Sequence, residues 1–459
     1  MSTTSFLFRQ QPSNLARFGM WVGYFFSINV VIGAGFLTLP YSFNRSGWLL
    51  SLILMTILAV QNYYIGLELI EIIARVECIK QLEEAGIDVP RPTFKQIIKG
   101  SFVKVQVPDE IKPEIVDRRF DLSTIVSMML GPTFGKLYMV GMYLFLTGAQ
   151  VSYVSIFASS FASTIPLGFS ELCNIYEDEE FFGACRPNYW IFLTIYSVLM
   201  MYLTIKGLRE QRWMQAILTI MRFFIMFIIL VTCIALIATG SNIKNGDDVS
   251  FKMPPLVGVR NILSSLPNIA FAFVYQLQLP SIIEFLKDKE KNLKKIVLLV
   301  GLTSYIVYFL IALVVPIAIH NVNPQCSIEY SEYSAGYSQS DRPAWTYIIA
   351  YIVVLFPALD VFSSFPVMAI TVADNFQTMR EGVSNEDFGK NSSQKLYRIF
   401  SVIVPVIISF FMFNLSEIVE WVGMVGFILV QVVIPILHVF TREIVDIHSA
   451  YDSPFYRKV

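Results

Sequence analysis

Ten apolar stretches, each near the roughly 20 residues a helix needs to cross a bilayer, recur along a chain of 459 residues. They run roughly from 18 to 43, 48 to 75, 135 to 165, 189 to 206, 213 to 239, 261 to 286, 294 to 319, 344 to 376, 397 to 413 and 417 to 441. Hydrophobic residues make up 55% of the chain and charged residues 15%, outside the balance of a soluble globular domain. The expected fold is therefore all-α, a polytopic membrane protein with about ten transmembrane helices. A net charge of −1 gives no reason to expect a nucleic-acid partner; charge matters here through its distribution between loops. The basic N-terminus runs into an apolar segment too long for a signal-peptide core, so the first segment is expected to direct insertion.

Lys and Arg residues stay on the cytoplasmic side of short loops. With the N-terminus inside, Arg45, Arg186, Lys244, Lys252, Arg260 and Arg342 fall outside, Arg222 falls within a segment, and the rest of the 34 Lys and Arg are cytoplasmic. Both tails, 1–17 and 442–459, are then cytoplasmic, as is a loop over 77–123. Cys173 and Cys185 lie in one outer loop and Cys326 in another, on the side where disulfides persist. Cys173 is expected to pair with Cys185, with unpaired thiols as the alternative, and Cys326 is odd under either. The segment "FDLSTIVSMML" from Phe120 is apolar on one face and reads as a short helix along the inner membrane surface.

The stretch "NVVIGAGFLTLP" in segment one runs from Asn29 to Pro40, and "NIAFAFVYQLQLP" in segment six from Asn268 to Pro280. Segments one and six are five apart, and an odd offset makes them run in opposite directions. That suggests a five-plus-five inverted repeat, 18–239 and 240–441, with the first helix of each half broken near the bilayer midplane. A break frees backbone N–H and C=O groups, which cost several kcal/mol each in lipid unless a cavity, water or ligand meets them. Gly33 and Gly35 permit the dihedrals of a break and let a ligand approach the backbone. The other reading of "GAG" is close helix packing. After the break, the N-terminus of the outer half helix suits a carboxylate, placed here at Gly33, Ala34 and Gly35. Carbonyls around Phe271 to Gln276 would suit an ammonium group. A zwitterion fits both.

With these residues in hand, "FFSINVVIGAGFLTLPYSFNRSGWLLSLIL" is similar to the first-helix signature of the amino acid/auxin permease family, within the amino acid, polyamine and organocation superfamily. "GVRNILSSLPNIAFAFVYQLQLPSIIEFLKD" resembles its sixth helix and "LFPALDVFSSFPVMAITVADNF" its eighth. One branch of the family shares the "GVRN" opening, the "LPS" and the paired Phe-Pro at 356–357 and 365–366. The resemblance runs from about Gly19 to Thr441 and implies an alternating-access carrier for amino acids, with sodium or a proton as coupling ion. Members usually have eleven helices and this chain stops after ten. Sodium-coupled relatives tend to carry histidine and glutamate where this chain has Gln276 and Gln278.

Asn29 matches the family's first-helix asparagine and reads either as a cation ligand or as a helix-to-helix hydrogen bond. Asp360, Ser363 and Ser364 share one helix face by their i, i+3, i+4 spacing, and the resemblance implies that this face nears the broken first helix beside a cation site. An Asp within a span costs roughly 2.5 to 3.5 kcal/mol on insertion scales and needs a partner. Arg222 lies nine residues into segment five, about 14 Å at 1.5 Å per residue. We expect its guanidinium to stand where sodium sits in coupled relatives, paired with Asp360; the bland reading is that Arg222 reaches into the inner vestibule. Glu71 and Arg75, with Glu68, read as a solvated pair at an inner helix end. His320 and His438 are placed at membrane edges. Phe273 and Tyr275 are candidate gate residues over the substrate, with Gln276 beside them.

No span carries a Ser/His/Asp or metal-ligand cluster, so neither enzyme chemistry nor a metal or other cofactor is expected. The expected partners are a small amino acid, neutral because no fixed carboxylate stands near the breaks, and the lipid bilayer of a plasma or endolysosomal membrane. Oligomeric state is not legible. The rival reading is a non-transporting amino-acid sensor that signals through the 77–119 loop.

Overall fold

The computed structural model describes residues 19–91, 96, 105–106, 115, 121–167, 174–176, 185–206, 212–241, 243, 253–319, 322–338, 341–381 and 392–446. Each of the ten apolar segments lies on a helix or a pair of helices. Segment one is α1 (Met20–Val31) and α2 (Gly35–Ser46), bent by 49° at the interruption between them. There follow α3 (Trp48–Glu84), the short α4 (Leu122–Leu130) and α5 (Pro132–Ala162). Next come α6 (Cys185–Lys206) and α7 (Arg212–Thr239). Segment six is α8 (Ile262–Phe273) and α9 (Leu279–Phe285). The remainder are α10 (Lys289–Ala318), α11 (Ala344–Glu381), α12 (Ser392–Ser409), α13 (Leu415–Phe427) and α14 (Val433–Ile444). A turn of π-helix, Ile428–Val432, joins the last two. Among the described residues seven helices are long and apolar enough to span, and the bent α1–α2 pair makes an eighth. Segments six and nine fall short of that test, the first because it is interrupted and the second because its helix opens on the polar stretch Ser392 to Arg398. The all-helical, polytopic architecture is as the apolar runs predict.

The helices end where chain chemistry demands it. Gly47, at φ 89°, turns the chain from α2 into α3, a conformation only glycine adopts without strain. Pro40 sits inside α2 and offers no N–H to the carbonyl of Phe36 four residues back. α5 is the most enclosed of the spanning helices, packed between α11, α13, α6 and α12. α13 lies against α8 so closely that a Cβ at Gly423 would collide with the Pro267 carbonyl oxygen. A two-residue parallel pairing, Val105–Gln106 (β1) with Val445–Asp446 (β2), ties the loop after α3 to the end of α14.

At the opposite end, a 3-10 helix at Cys326–Glu332 packs over α2, α5 and α11. The Gln325 amide, which precedes it, accepts from Ser159 at 2.7 Å and donates to Ser160 at 2.8 Å. Tyr330 reaches Thr232 on α7 at 2.7 Å. Cys185 is disulfide-bonded; its expected partner Cys173 lies outside the described residues. Cys78, Cys233 and Cys326 carry buried free thiols.

One expectation fails. Glu71 and Arg75 are 3% and 8% exposed, not solvated. Their 3.4 Å ion pair is joined by His438 Nε2 from α14, 2.8 Å from Glu71 Oε2. Helix packing covers a pair whose i, i+4 spacing alone reads as surface chemistry, and it draws His438 in from the edge.

Candidate functional site

Two helix interruptions meet in the middle of the bundle. α1 stops at Val31, and Ile32 leaves helical geometry at φ −79°, ψ 65°. α8 stops at Phe273, with Val274 at φ −77°, ψ 96°. The two are in contact through Gly35, whose missing Cβ would lie 2.7 Å from the Ala272 Cα. A helix C-terminus carries carbonyls without intrahelical partners and a partial negative charge, so it calls for donors or cations.

Arg222 of α7 answers that need at the α1 end. Its Nη1 donates to the carbonyl oxygens of Asn29, at 2.6 Å, and of Ile32. Its Nη2 donates to both carboxylate oxygens of Asp360 on α11, at 2.6 and 2.5 Å. Arg222 is 1% and Asp360 6% exposed, so the two charges neutralise each other away from solvent, the condition under which a buried ion pair persists. The pairing expected from the cost of an Asp in a span is present, and the guanidinium adds contacts to two freed carbonyls.

Tyr308 of α10 serves both breaks. Its hydroxyl lies 2.6 Å from the Val31 carbonyl oxygen and 3.0 Å from that of Ala272. Its ring takes an edge-to-face position on Phe273 at 5.3 Å. Nothing in "TSYIVYFLIA" distinguishes this tyrosine from ordinary packing. Gln276 is held by Asn62 of α3, donating to its side-chain oxygen at 2.7 Å and its backbone oxygen at 3.2 Å. It also accepts from the Tyr275 N–H at 3.1 Å. This fixes the interrupted backbone from the side.

Beside the α1–α2 interruption is a cavity of about 10 Å³, bordered by Gly33, Ala34, Tyr153, Asp360 and Ser364 among apolar neighbours. It has room for about one water, so an amino acid enters only if helices move apart. Of the expected substrate residues, Gly33 and Ala34 line this space, whereas Gly35 is taken up by its contact with Ala272. Phe273, Tyr275 and Gln276 are buried at the second break without lining the cavity. Tyr275 points its hydroxyl to α3, 3.1 Å from where a Gly66 Cβ would be. Asn29 contributes its backbone oxygen to Arg222, and its side-chain oxygen is buried with no hydrogen-bond partner among the described residues. The Ser363 side chain lies outside the described residues. Tyr153, which borders the cavity from α5, is a second residue that a lone span tyrosine did not advertise. Among the described residues no three His, Cys, Asp or Glu are grouped to hold a metal ion.

A family model described as transmembrane amino acid transporter protein matches residues 16–442. Transmembrane protein 104 of Homo sapiens is 22% identical over 453 residues, covering 92% of this chain and 87% of its own length. The Drosophila melanogaster homolog of transmembrane protein 104 is 23% identical over 462 residues, 91% of this chain and 87% of the relative. The Caenorhabditis elegans homolog is 23% identical over 382 residues, 80% of this chain and 70% of the relative.

Proposed function

The chain belongs to the transmembrane amino acid transporter family, and from that premise we propose that it is a secondary carrier for neutral amino acids. It works by alternating access, through rocking of one five-helix half against the other around the two breaks. The substrate carboxylate binds at the N-terminus of α2, by Gly33 and Ala34, where the first-turn N–H groups and the helix dipole favour an anion. The cavity walls are mostly apolar and the one carboxylate among them, Asp360, is engaged by Arg222, which disfavours a cationic side chain. The Lys and Arg asymmetry places both tails in the cytoplasm.

The observation that carries the reading furthest is the position of Arg222, bridging the freed carbonyls of α1 and Asp360 of α11. A permanent cation there removes the need for a bound sodium ion, so the carrier is sodium-independent, with proton coupling or no coupling as the two alternatives. Purified protein in proteoliposomes should take up label from a mixture of radioactive amino acids, unchanged when sodium replaces N-methylglucamine. A steep sodium dependence would sink the assignment. Imposing a pH gradient separately tests proton coupling. The sensor reading draws on the pairing of β1 with β2, which ties the loop after α3 to the end of α14; binding of label without flux selects it.

A further inference from the structure

Tyr308 presents one hydroxyl hydrogen to two acceptors. The Val31 oxygen, at the last residue of α1, and the Ala272 oxygen, at the penultimate residue of α8, lie 2.6 and 3.0 Å from it. A hydroxyl donates a single hydrogen, so it satisfies one of these fully or both weakly. Val31 O receives a second donor, the Gly33 N–H at 2.8 Å. The ring is fully buried and held on edge against Phe273, which keeps the hydroxyl at the two oxygens while the helices are packed as they are here. The two acceptors belong to different halves of the chain and to the two helices whose breaks bracket the centre of the bundle. Arg222 takes the carbonyls of Asn29 and Ile32 and, among the described residues, makes no bond to α8.

We infer that the Tyr308 hydroxyl holds the two breaks together in the unloaded protein, standing where the ammonium group of a bound amino acid would donate. This rests on the carrier reading above. An ammonium brings three hydrogens and a full charge to the same carbonyls, so a loaded carrier closes without the tyrosine. An empty one closes only with it. Tyr308 is thus a positioning residue for the return of the empty carrier, which net uptake requires and exchange does not.

Tyr308→Phe keeps the ring and its packing and removes only the donor. In proteoliposomes given the labelled amino-acid mixture, net uptake by this variant should fall about tenfold. Exchange of label against the same unlabelled mixture inside should stay within about twofold of the unsubstituted protein. A parallel fall in both, or no fall in either, overturns the inference. A ligand-free readout separates it from the carrier reading. Amide hydrogen exchange at 31–36 and 272–279 should be about tenfold faster in the variant, and unchanged rates overturn the clamp even if the unsubstituted protein moves no label in either mode, the result that would sink transport itself. If the variant does not fold, 3-fluorotyrosine at position 308 decides. Its fluorine resonance must shift when the amino-acid mixture is added, and a resonance that stays put overturns the assignment.

Discussion

Arg222 and Asp360 carry opposite charges buried inside the bundle, so the residue scale is where energies are largest. Removing one member of a buried ion pair costs about 3 to 5 kcal/mol because the other charge is stranded. Asp360→Ala should therefore lower the melting midpoint in detergent strongly. Arg222→Ala has a second consequence. It leaves the Asp360 carboxylate with the Asn29 and Ile32 carbonyls, an all-oxygen set of the kind that holds hard cations. Sodium, compared with N-methylglucamine, should raise the melting midpoint of that variant and leave the unsubstituted protein unmoved; equal responses would remove Arg222 from the cation site. The pair was legible in the sequence because a charge inside a span must find a partner. Tyr308 and the Asn62–Gln276 contact were not, because uncharged side chains in apolar runs carry no comparable penalty to announce them.

At the scale of elements, the two interruptions are built differently. The α1–α2 break has glycines, and the two nearest it have separate jobs. Gly33 has ordinary room, with the nearest atoms to a Cβ at 3.5 and 3.8 Å, whereas a Cβ on Gly35 would be 2.7 Å from the Ala272 backbone. Gly33→Ala should retain uptake, and Gly35→Ala should reduce it by tenfold or more while shifting the protein's elution from a sizing column. Similar uptake in the two variants would contradict the packing of α2 on α8. The break between α8 and α9 has no glycine. Of the carbonyls expected to be freed there, Phe271 to Gln276, those of Phe271, Tyr275 and Gln276 accept instead from the backbone N–H groups of Val274, Gln278 and Leu279, because the chain turns tightly between α8 and α9. The Ala272 carbonyl takes Tyr308, and Asn62 holds Gln276 from the side.

At the scale of the whole molecule, the described helices pack closely enough to leave room for about one water beside the α1–α2 break, and buried thiols report on that packing. Cys233 and Cys326 are 0% and 1% exposed, at the end capped by the 3-10 helix of Cys326–Glu332. Burial holds the Cys326 thiol far above the usual thiol range, which keeps it protonated and slow to react. Maleimide should modify Cys326 slowly at neutral pH and faster by tenfold or more under turnover with amino acids, followed by intact-mass and peptide analysis. A rate that turnover does not change would mean that this cap stays shut through the cycle. Here the Glu71–Arg75 pair is instructive as well. Its burial depends on α14 arriving beside α3 and delivering His438, an event 367 residues away in sequence.

What the sequence by itself determined are the features with local costs: the apolar runs, the interruption at Gly33, and a buried Asp that needs a cation. Each such segment must satisfy its own backbone and charge in a medium that supplies neither hydrogen bonds nor counter-ions, so the requirement is written where it is felt. Only the tertiary structure decided what meets those requirements. The Val31 carbonyl, which has a local donor in the Gly33 N–H, takes its second from a tyrosine 277 residues along the chain, and Gly35 serves contact rather than ligand because α8 lies against it. Which side chain reaches an exposed carbonyl depends on how the helices pack, and packing is a property of pairs of segments that neither segment encodes alone.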